Sequence, residues 1–388
     1  MRKLIEEHLL ERVVPFWTAL LDHECGGFYG HVGADLRVAR NADKGLVQQA
    51  RHLYAFSRLE NHYRDGRFLP FAEASYRFLT EKLADPVHGG YWWIVKRNGK
   101  PVDRRKVIYG QGFAVYALAE YYKATRDETV LAAALEAFHR IERIALTPYW
   151  TYMEEFDEAW SETPPALLTD GVAGATYSTN TLLHLLEAFA NLASAAPYPD
   201  VVDAVWRLLH VFLGNVRRTD GSLVMYFDEK FVPLPTERSY GHEIEAAWLI
   251  TEAAQTIDVN DAKIAAMTRS VAESILKESI GEDGRVCYGT LHDGRDPTAV
   301  WWVQAEAMTG FYDLYCKSHN PAALHATEQV LAFCQAHLAD KRPGGEWFWS
   351  VDRDGRPNRE RGVAELWKSS YHLVRSLVEL MERIDGVK

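Results

Sequence analysis

The chain has 388 residues, 47 % of them hydrophobic and 25 % charged, which is the composition of an ordinary globular protein. Its formal net charge of −11 argues against nucleic-acid binding, which needs a basic surface. No apolar run reaches the roughly 18 residues of a membrane span, and Glu6 and Glu7 lie where a signal peptide has its apolar core. The four cysteines are scattered without a paired motif, so we expect reduced thiols and a cytoplasmic protein.

A short stretch of glycine and aromatic residues, typical of a hairpin, recurs six times along the chain. Successive copies start roughly 60 to 70 residues apart, and a constant spacing indicates one supersecondary unit repeated along the chain. In chain order, the copies lie at residues 26–30, 89–93, 149–152, 220–222, 283–285 and 344–347.

Segments with helical periodicity fill the intervals between these stretches. In chain order they are residues 4–20, 45–63, 69–83, 109–123, 129–144, 181–193, 200–213, 242–254, 261–279, 303–317, 321–338 and 365–384. Two helices in each of six repeats predict an all-α protein, an (α/α)6 toroid of twelve helices with short β-hairpin-like loops. We interpret residues 1–388 as one catalytic domain, because each repeat needs neighbours to cover its apolar faces. The irregular segment 160–179 is expected to cover the mouth of the central cavity.

Histidines occur at or near the predicted starts of three helices that we expect to form the inner layer. Asn180 and His184 are one turn apart and share a helix face. His242 and Glu245 also share a face, so we expect the carboxylate to orient the imidazole or raise its basicity. His372 lies in the last repeat. Because one polar cluster occurs in each repeat, we expect the clusters to face one cavity.

Other repeats supply polar and aromatic residues at the same place. Arg51 and Tyr109 belong to the first two inner helices, and Trp302 and Glu306 lie one turn apart on the fifth. Tryptophan beside polar side chains suits sugar binding, because an indole stacks on a pyranose while polar groups bind its hydroxyls.

These residue types favour proton transfer over glycoside hydrolysis. A glycosidase needs two carboxylates flanking one bond, whereas the carboxylates here accompany histidines. Two imidazoles on opposite sides of a substrate can remove and return a proton near neutral pH. A metal site formed by His184, His242 and His372 is an alternative, although no pair has the HxH or HxxxH spacing.

Four motifs in order resemble the N-acylglucosamine 2-epimerase superfamily, and most closely its cellobiose and mannose 2-epimerase branches. The resemblance covers essentially the whole chain and implies an (α/α)6 barrel. The motifs are Asn180-Thr181-Leu182-Leu183-His184-Leu185-Leu186-Glu187, Ser239-Tyr240-Gly241-His242-Glu243-Ile244-Glu245-Ala246, Trp301-Trp302-Val303-Gln304-Ala305-Glu306, and Trp367-Lys368 followed by Tyr371-His372.

The resemblance implies a sugar 2-epimerase in which His242 and His372 are the acid/base pair. In cellobiose 2-epimerases one such group removes the C2 proton of the open-chain reducing-end sugar, giving a cis-enediolate, and the other returns a proton to the opposite face. His184 is implied to help ring opening or to hold sugar oxygens. Further implied roles are C1–C2 oxygen binding by Arg51, Tyr109 and Asn180, orientation of His242 by Glu245, hydroxyl binding by Glu306, and ring stacking by Trp302 and Trp367. No metal or redox cofactor is implied.

The sequence departs from the family pattern beside the second histidine. Cellobiose 2-epimerases usually have Cys-Pro-Tyr-His-Asn after Trp-Lys, whereas this chain has Ser369-Ser370-Tyr371-His372-Leu373, and Leu182 replaces a histidine found in many members. We expect these changes to reshape the subsite for a distal sugar. Free D-mannose and D-glucose therefore stay open as substrates beside cellobiose and lactose.

Other functions also stay open. An enediolate reprotonated at C1 gives a ketose, so a mannose-to-fructose isomerase is an alternative, as is an N-acylglucosamine 2-epimerase. A non-catalytic sugar-binding module is an alternative from another class. The chain is expected to act on a small sugar as a monomer or homodimer, with neither nucleic acid nor membrane as a partner.

Overall fold

A computed structural model describes residues 1–169 and 171–386 of the chain. Within this part of the chain, twelve helical segments form the protein, and four of them contain a π-helical turn. The first segment comprises α1 (Arg2–His8), a π turn (Leu9–Val13) and α2 (Val14–Thr18). The others are α3 (Leu46–Tyr63), α4 (Leu69–Phe78) with Leu79–Leu83, α5 (Ile108–Thr125), α6 (Glu128–Ala145), α7 (Thr179–Ala195), α8 (Pro199–Val211) with Phe212–Val216, α9 (Tyr240–Thr256), α10 (Ala262–Glu278), α11 (Trp301–Ser318), α12 (Pro321–Phe333) with Cys334–Leu338, and α13 (Tyr371–Ile384).

The helices form two concentric rings. Helices α3, α5, α7, α9, α11 and α13 each pack against the next, and α13 packs against α3 to close the inner ring. The outer ring contains α1, α4, α6, α8, α10 and α12, each packed chiefly against one inner helix, and α4, α8 and α10 also contact the next inner helix. The hydrophobic pattern explains the division: α5 is buried at every residue from Ile108 to Tyr121, whereas α6 buries one apolar stripe. The predicted (α/α)6 toroid is confirmed.

Each outer helix is followed by a tight hairpin, as the recurring glycine and aromatic stretches predicted. One isolated antiparallel bridge marks the hairpin in each of the six repeats. The bridges join Leu21 to Phe28, Ala84 to Tyr91, Leu146 to Tyr152, Arg217 to Leu223, Ile280 to Val286, and Ala339 to Trp347.

Short strands tie each repeat to the next and close the ring. They are β1 (Lys44–Gly45), β2 (Ile94–Val95), β3 (Pro101–Asp103), β4 (Lys106–Val107), β5 (Glu155–Phe156), β6 (Tyr177–Ser178), β7 (Tyr226–Phe227), β8 (Gly289–Leu291), β9 (Gly294–Asp296), β10 (Ala299–Val300) and β11 (Ser350–Val351). Antiparallel pairs β1–β2, β4–β5, β6–β7 and β10–β11 each join the segment before an inner helix to the following repeat. A bridge between Val32 and Ala364 links the last repeat to the first.

The same contacts hold the starts of the inner helices. The first backbone N–H of α9 donates to the carbonyl of Tyr288 at 3.2 Å, and that of α11 donates to the carbonyl of Trp349 at 3.1 Å. Helices α3, α5 and α7 are held in the same way by the carbonyls of Trp93, Glu154 and Met225. These bonds satisfy amides that would otherwise lack partners, and they bring hairpin side chains to the helix N-termini.

The last inner helix starts later than predicted. The sequence predicts a start at residue 365, but the helix begins at Tyr371, because Lys368 in the segment before it bonds the preceding hairpin. Lys368 is fully buried and donates to Glu346 at 2.7 Å and to the carbonyls of Trp347 and Val363. Within the described residues, no helix combines the length and apolar character needed to cross a bilayer.

Candidate active site

A cavity of about 250 Å³ lies where the N-termini of the inner helices meet. Its lining includes every predicted site residue except Glu306: Arg51, Tyr109, Asn180, His184, His242, Glu245, Trp302, Trp367 and His372. Those that belong to helices lie within the first two helical turns. Helix N-termini carry partial positive charge, so this end of the ring favours a ligand on which negative charge develops.

A larger cavity of about 780 Å³ lies at the opposite end of the ring, near the helix C-termini. Arg64 and Arg126, the residues that follow α3 and α5, help to line it. None of the three predicted catalytic histidines lines this cavity, so the smaller one is the candidate active site.

His242 is oriented by a residue that was not predicted for this role. Its Nδ1 atom is hydrogen-bonded to Ser239 Oγ at 2.6 Å. Glu245, which was expected to orient it, instead accepts from Arg375 at 2.5 Å. The prediction for Glu245 was wrong because its carboxylate turns toward α13 and not along α9. Burial, followed by the charge of His184, lowers the pKa of His242 to about 3, so the imidazole is neutral near pH 7.

His372 is held by Glu306 from the neighbouring helix α11. Its Nδ1 donates to Glu306 Oε1 at 2.7 Å, leaving Nε2 as the atom with a free lone pair. Burial and the cations Arg51 and Arg375 hold the pKa of His372 well below its usual range. Glu306 is fully buried and bonds Trp248 and Arg375 as well. Its expected contact with sugar hydroxyls is not supported, because it lies behind the histidine and outside the cavity lining.

The third histidine is held in the same manner. His184 Nδ1 donates to Glu187 Oε2 at 2.8 Å, and Tyr371 donates its hydroxyl to the same carboxylate at 2.7 Å. Burial would raise the pKa of Glu187, but Arg375 and His184 outweigh it and lower the pKa to about 2. Glu187 is therefore a carboxylate at neutral pH. Glu187 belongs to the first of the four family motifs, but its contact with His184 was not predicted.

Arg51 and Tyr109 form one polar wall of the cavity. Arg51 donates to the Tyr109 hydroxyl at 2.9 Å and to the carbonyl of Trp367 at 2.9 Å. The guanidinium also lies over the rings of Phe113 and Tyr371, at 4.4 and 4.8 Å from their centroids. Because aromatic faces and hydrogen bonds fix the guanidinium plane, its position is preorganised for an anionic ligand.

Aromatic rings form the remaining walls. The ring centroid of Trp302 lies 4.7 Å from His242 and 5.6 Å from His372, so one indole contacts both imidazoles. Gly241 permits this packing, since a Cβ at this position would lie 2.5 Å from the Trp302 ring. Trp367 lies beside Tyr109, with ring centroids 5.9 Å apart.

Sequence reasoning missed several lining residues. Trp301, Trp349 and Tyr288 contribute to the lining, with Tyr288 39 % exposed at the opening. Tyr288 and Trp349 precede predicted inner helices of later repeats and lie just beyond the recurring hairpins, which is the signal that could have found them. Leu167 and Leu168 also line the cavity and confirm that the irregular segment after residue 160 reaches its mouth.

Several buried polar atoms of the lining have no hydrogen-bond partner. Within the described residues these include Arg51 Nε, Asn180 Oδ1, Glu245 Oε2 and Trp301 Nε1. Buried polar groups are nearly always paired in folded proteins, so these four atoms are donors and acceptors available to the polar groups of a ligand.

A cation already accompanies the acidic groups beside His372. Glu245, Glu306 and His372 each bring a ligand atom within 4.8 Å of the others, a spacing that could suit a metal ion. Arg375 Nη2, however, lies 2.5 Å from Glu245 and 2.7 Å from Glu306. Among the described residues, Glu245, Glu306 and His372 are the only group whose ligand atoms are close enough to hold a metal ion. The alternative metal site, formed by His184, His242 and His372, is therefore not found there.

The departures from the family pattern do not face the cavity. Leu182, Ser369, Ser370 and Leu373 are buried and are absent from its lining. Ser370 Oγ is hydrogen-bonded to His52 Nδ1 at 3.0 Å, between the helices. Because these side chains pack in the core, they can reshape a sugar subsite only through the packing of their neighbours, and that expectation stays a prediction.

Residues 27–376 match the family model of N-acylglucosamine 2-epimerase, also written GlcNAc 2-epimerase. The chain belongs to this family. It is 38 % identical over 387 residues to the cellobiose 2-epimerase of Dictyoglomus turgidum, covering 99 % of each chain. The structure of the cellobiose 2-epimerase of Bacillus thermoamylovorans has a TM-score of 0.96 and 36 % identity, with 98 % of this chain and 99 % of that chain covered.

A D-mannose isomerase structure is also similar, with a TM-score of 0.87, 18 % identity, and coverage of 99 % of this chain and 98 % of that one. At this identity the likeness shows the shared fold alone. The nearly full-length similarity to cellobiose 2-epimerases makes this member of the N-acylglucosamine 2-epimerase family a carbohydrate 2-epimerase, an isomerase.

Proposed function

We propose that this protein epimerises C2 of the reducing-end sugar of a disaccharide such as cellobiose or lactose, converting the glucose to the mannose configuration and back. The observation that carries the proposal is the packing of His242 and His372 against the same indole, Trp302, in one cavity. Unpaired Asn180 Oδ1 and Glu245 Oε2 offer hydrogen bonds to sugar hydroxyls in the same cavity.

The reaction follows from the protonation states of the two imidazoles. A neutral imidazole takes the C2 proton of the open-chain aldose. The electron pair of the broken C–H bond forms a C1–C2 double bond while the π pair of the carbonyl moves to its oxygen, giving a cis-enediolate. The opposite imidazole, in its protonated form, then delivers a proton to the other face of C2. The negative charge of the enediolate raises the pKa of the adjacent imidazole, which makes protonation possible in a site where burial lowers it.

Arg51 and the helix N-termini stabilise the enediolate. The guanidinium of Arg51 lies on the cavity wall with its Nε unpaired, and it is bonded to the Tyr109 hydroxyl. Fixed positive charge at a developing oxyanion is typically the largest single contribution to such catalysis. Asn180 is proposed to bind the oxygens at C1 and C2, and His184 to assist ring opening.

Extra aromatic residues at the opening support a two-ring substrate. Trp349 and the partly exposed Tyr288 extend the lining beyond the histidine cluster. Trp367 is proposed to stack on the reducing-end sugar, and Trp349 on the distal ring. Two relatives support a disaccharide substrate, since the proteins of Dictyoglomus turgidum and Ruminococcus albus, at 38 and 33 % identity, are both named cellobiose 2-epimerase.

Product NMR after separate incubation with cellobiose, lactose, D-mannose, D-glucose and N-acetylglucosamine tests the proposal. We expect 2-epimers from the two disaccharides at a higher kcat/KM than from either monosaccharide. Ketose as the sole product would establish an aldose–ketose isomerase, and turnover of N-acetylglucosamine alone would establish an N-acylglucosamine 2-epimerase. Binding without turnover would indicate a sugar-binding module.

We further propose that residues 1–388 act as one cytoplasmic catalytic domain without a metal or redox cofactor. All four cysteines are free, and two of them, Cys287 and Cys334, are buried. The guanidinium of Arg375 supplies the positive charge that the buried carboxylates need. Activity should therefore survive dialysis against EDTA, and loss of activity restored by a divalent cation would contradict the proposal.

A further inference from the structure

One buried guanidinium connects four of the six inner helices. Arg375, in the second turn of α13, is 1 % exposed. It contacts Glu187 of α7, Glu245 of α9 and Glu306 of α11. Its ring contacts are Tyr371 and Trp248, whose centroids lie 4.3 and 4.9 Å from the guanidinium carbon.

Two of these carboxylates are the partners of cavity histidines. Glu187 accepts from His184 Nδ1 at 2.8 Å, and Glu306 accepts from His372 Nδ1 at 2.7 Å. Burial and the neighbouring acidic groups raise the pKa of Glu245 and of Glu306 to about 7, whereas Arg375 and His184 outweigh burial and lower the pKa of Glu187 to about 2. Acidic groups this close need a cation between them, and a planar guanidinium can bond several oxygens at fixed angles. A lysine ammonium carries the same charge but lacks the rigid, planar set of N–H donors of a guanidinium.

We propose that Arg375 is a positioning residue whose guanidinium fixes Glu187 and Glu306 so that both hold their histidines with Nδ1 protonated and Nε2 free to face the sugar. Arg375 does not line the active-site cavity, so it acts through the two carboxylates and not by contact with substrate. The inference rests on the proposed function, because it assigns the two histidines to a reaction at C2.

The charges around His372 give the expected direction of the pH effect. Burial, Arg51, Arg375, His184 and His242 all lower the pKa of His372, whereas the carboxylates of Glu306 and Glu245 face it from α11 and α9. Removing the charge of Arg375 therefore raises the pKa of His372. Because His372 must be neutral to act as a base, the acidic limb of the pH profile of kcat/KM then moves to higher pH.

The kinetic test compares Arg375→Met and Arg375→Lys with Arg383→Met. Arg383 is buried on the same helix and bonds Glu379. Its guanidinium carbon lies 5.5 Å from the Trp248 ring, but the guanidinium bonds none of the three acidic groups of the network, so Arg383→Met controls for loss of a buried cation. We expect Arg375→Met to lower kcat roughly 10- to 100-fold, the size typical of residues that orient a functional ligand, with little change in KM. Arg375→Lys should recover only part of this loss. The acidic limb should move to higher pH in Arg375→Met and stay in place in Arg383→Met.

Arg375 also lines the larger cavity at the opposite end of the ring, which opens a route for chemical rescue. Guanidinium ion, at concentrations well below those that unfold proteins, should restore part of the activity of Arg375→Met and none in Arg383→Met. An Arg375→Met variant with wild-type kcat and an unmoved acidic limb would overturn the proposal.

Imidazole ¹⁵N NMR tests the positioning without any activity. We expect His184 and His372 to carry the proton on Nδ1 in the wild type and to show mixed tautomers in Arg375→Lys. The lysine variant keeps the positive charge, so it can be measured even if the methionine variant does not fold. Unchanged tautomers in a folded variant would overturn the positioning role. Absence of turnover in the wild type would instead remove the proposed function, and the NMR result would still decide the role of Arg375.

Discussion

His242 and His372 are held differently, although both are kept neutral by burial. Ser239 bonds the first and Glu306 the second. If each moves a proton at C2, replacing either with alanine should lower kcat by roughly 10²- to 10⁴-fold, the range for general acid–base groups. Steady-state kinetics with cellobiose measures the change, and His292→Ala, at an exposed histidine, is the control. Near-wild-type kcat in His242→Ala or His372→Ala would remove that residue from the mechanism.

Ser239 offers a second test at the level of one hydrogen bond. Its Oγ lies 2.6 Å from His242 Nδ1, so Ser239→Ala frees the ring to rotate. Loss of one such bond is worth about 1 kcal/mol, which corresponds to a decrease in kcat of roughly fivefold. Ser194→Ala, at an exposed serine, should have no effect. An unchanged kcat in Ser239→Ala would show that the ring is oriented by its packing against Trp302 alone.

The sequence predicted which residues line the cavity better than how they contact one another. Spacing of three or four residues placed Asn180, His184 and His242 correctly, because helical periodicity fixes the face on which a side chain lies. It could not show that Glu245 turns to Arg375 or that Glu306 lies behind His372. Those contacts cross between helices, and their geometry is set by ring closure.

Buried ion pairs recur at the starts of inner helices and stabilise them. Lys44 bonds Asp22 at 2.8 Å, Lys106 bonds Asp85 at 2.7 Å, and Lys368 bonds Glu346. In all three, the lysine precedes an inner helix and the acid lies in the hairpin of the same repeat, so these pairs fasten the two parts of a repeat together.

Lys368→Met should lower the free energy of unfolding by about 3 to 5 kcal/mol, because it leaves the Glu346 carboxylate buried without its partner. Urea denaturation of the variant measures this loss. Lys100→Met, at an exposed lysine, should leave the free energy of unfolding within about 0.5 kcal/mol of the wild type. A small effect at Lys368 would show that the buried pair does not stabilise the start of α13.

All twelve helical segments were predicted from hydrophobic periodicity, since each repeat combines a helix buried on most sides with one that has a single apolar stripe. The start of the last helix was not predicted. The predicted helix included residues 365–370, but the Lys368 side chain in this segment bonds Glu346 of the preceding hairpin. Periodicity reports which residues are buried and cannot report a long-range ion pair.

For the molecule as a whole, buried histidines make stability depend on pH. His52 is fully buried between helices, and burial lowers its pKa from 6.5 to about 3. Between these values the unfolded chain binds a proton at this position and the folded chain does not. The histidine's contribution to stability is therefore complete above about pH 6.5 and is lost as the pH falls.

His52→Gln removes this titration. Urea unfolding at about pH 7.5 and about pH 5.5 should show the wild-type advantage shrinking by about 1 kcal/mol at the lower pH, while other titrating groups cancel in the difference. An advantage that stays constant between the two pH values would mean that His52 is protonated, or neutral, in both the folded and unfolded chains.

The central claim is that two imidazoles facing one cavity exchange the proton at C2 of a sugar. Turnover of cellobiose in D₂O, followed by NMR of the product, tests it most directly. We predict a disaccharide whose reducing-end sugar has the mannose configuration and carries deuterium at C2. A 2-epimer without deuterium at C2, formed at the same rate as in H₂O, would contradict proton exchange with the two histidines.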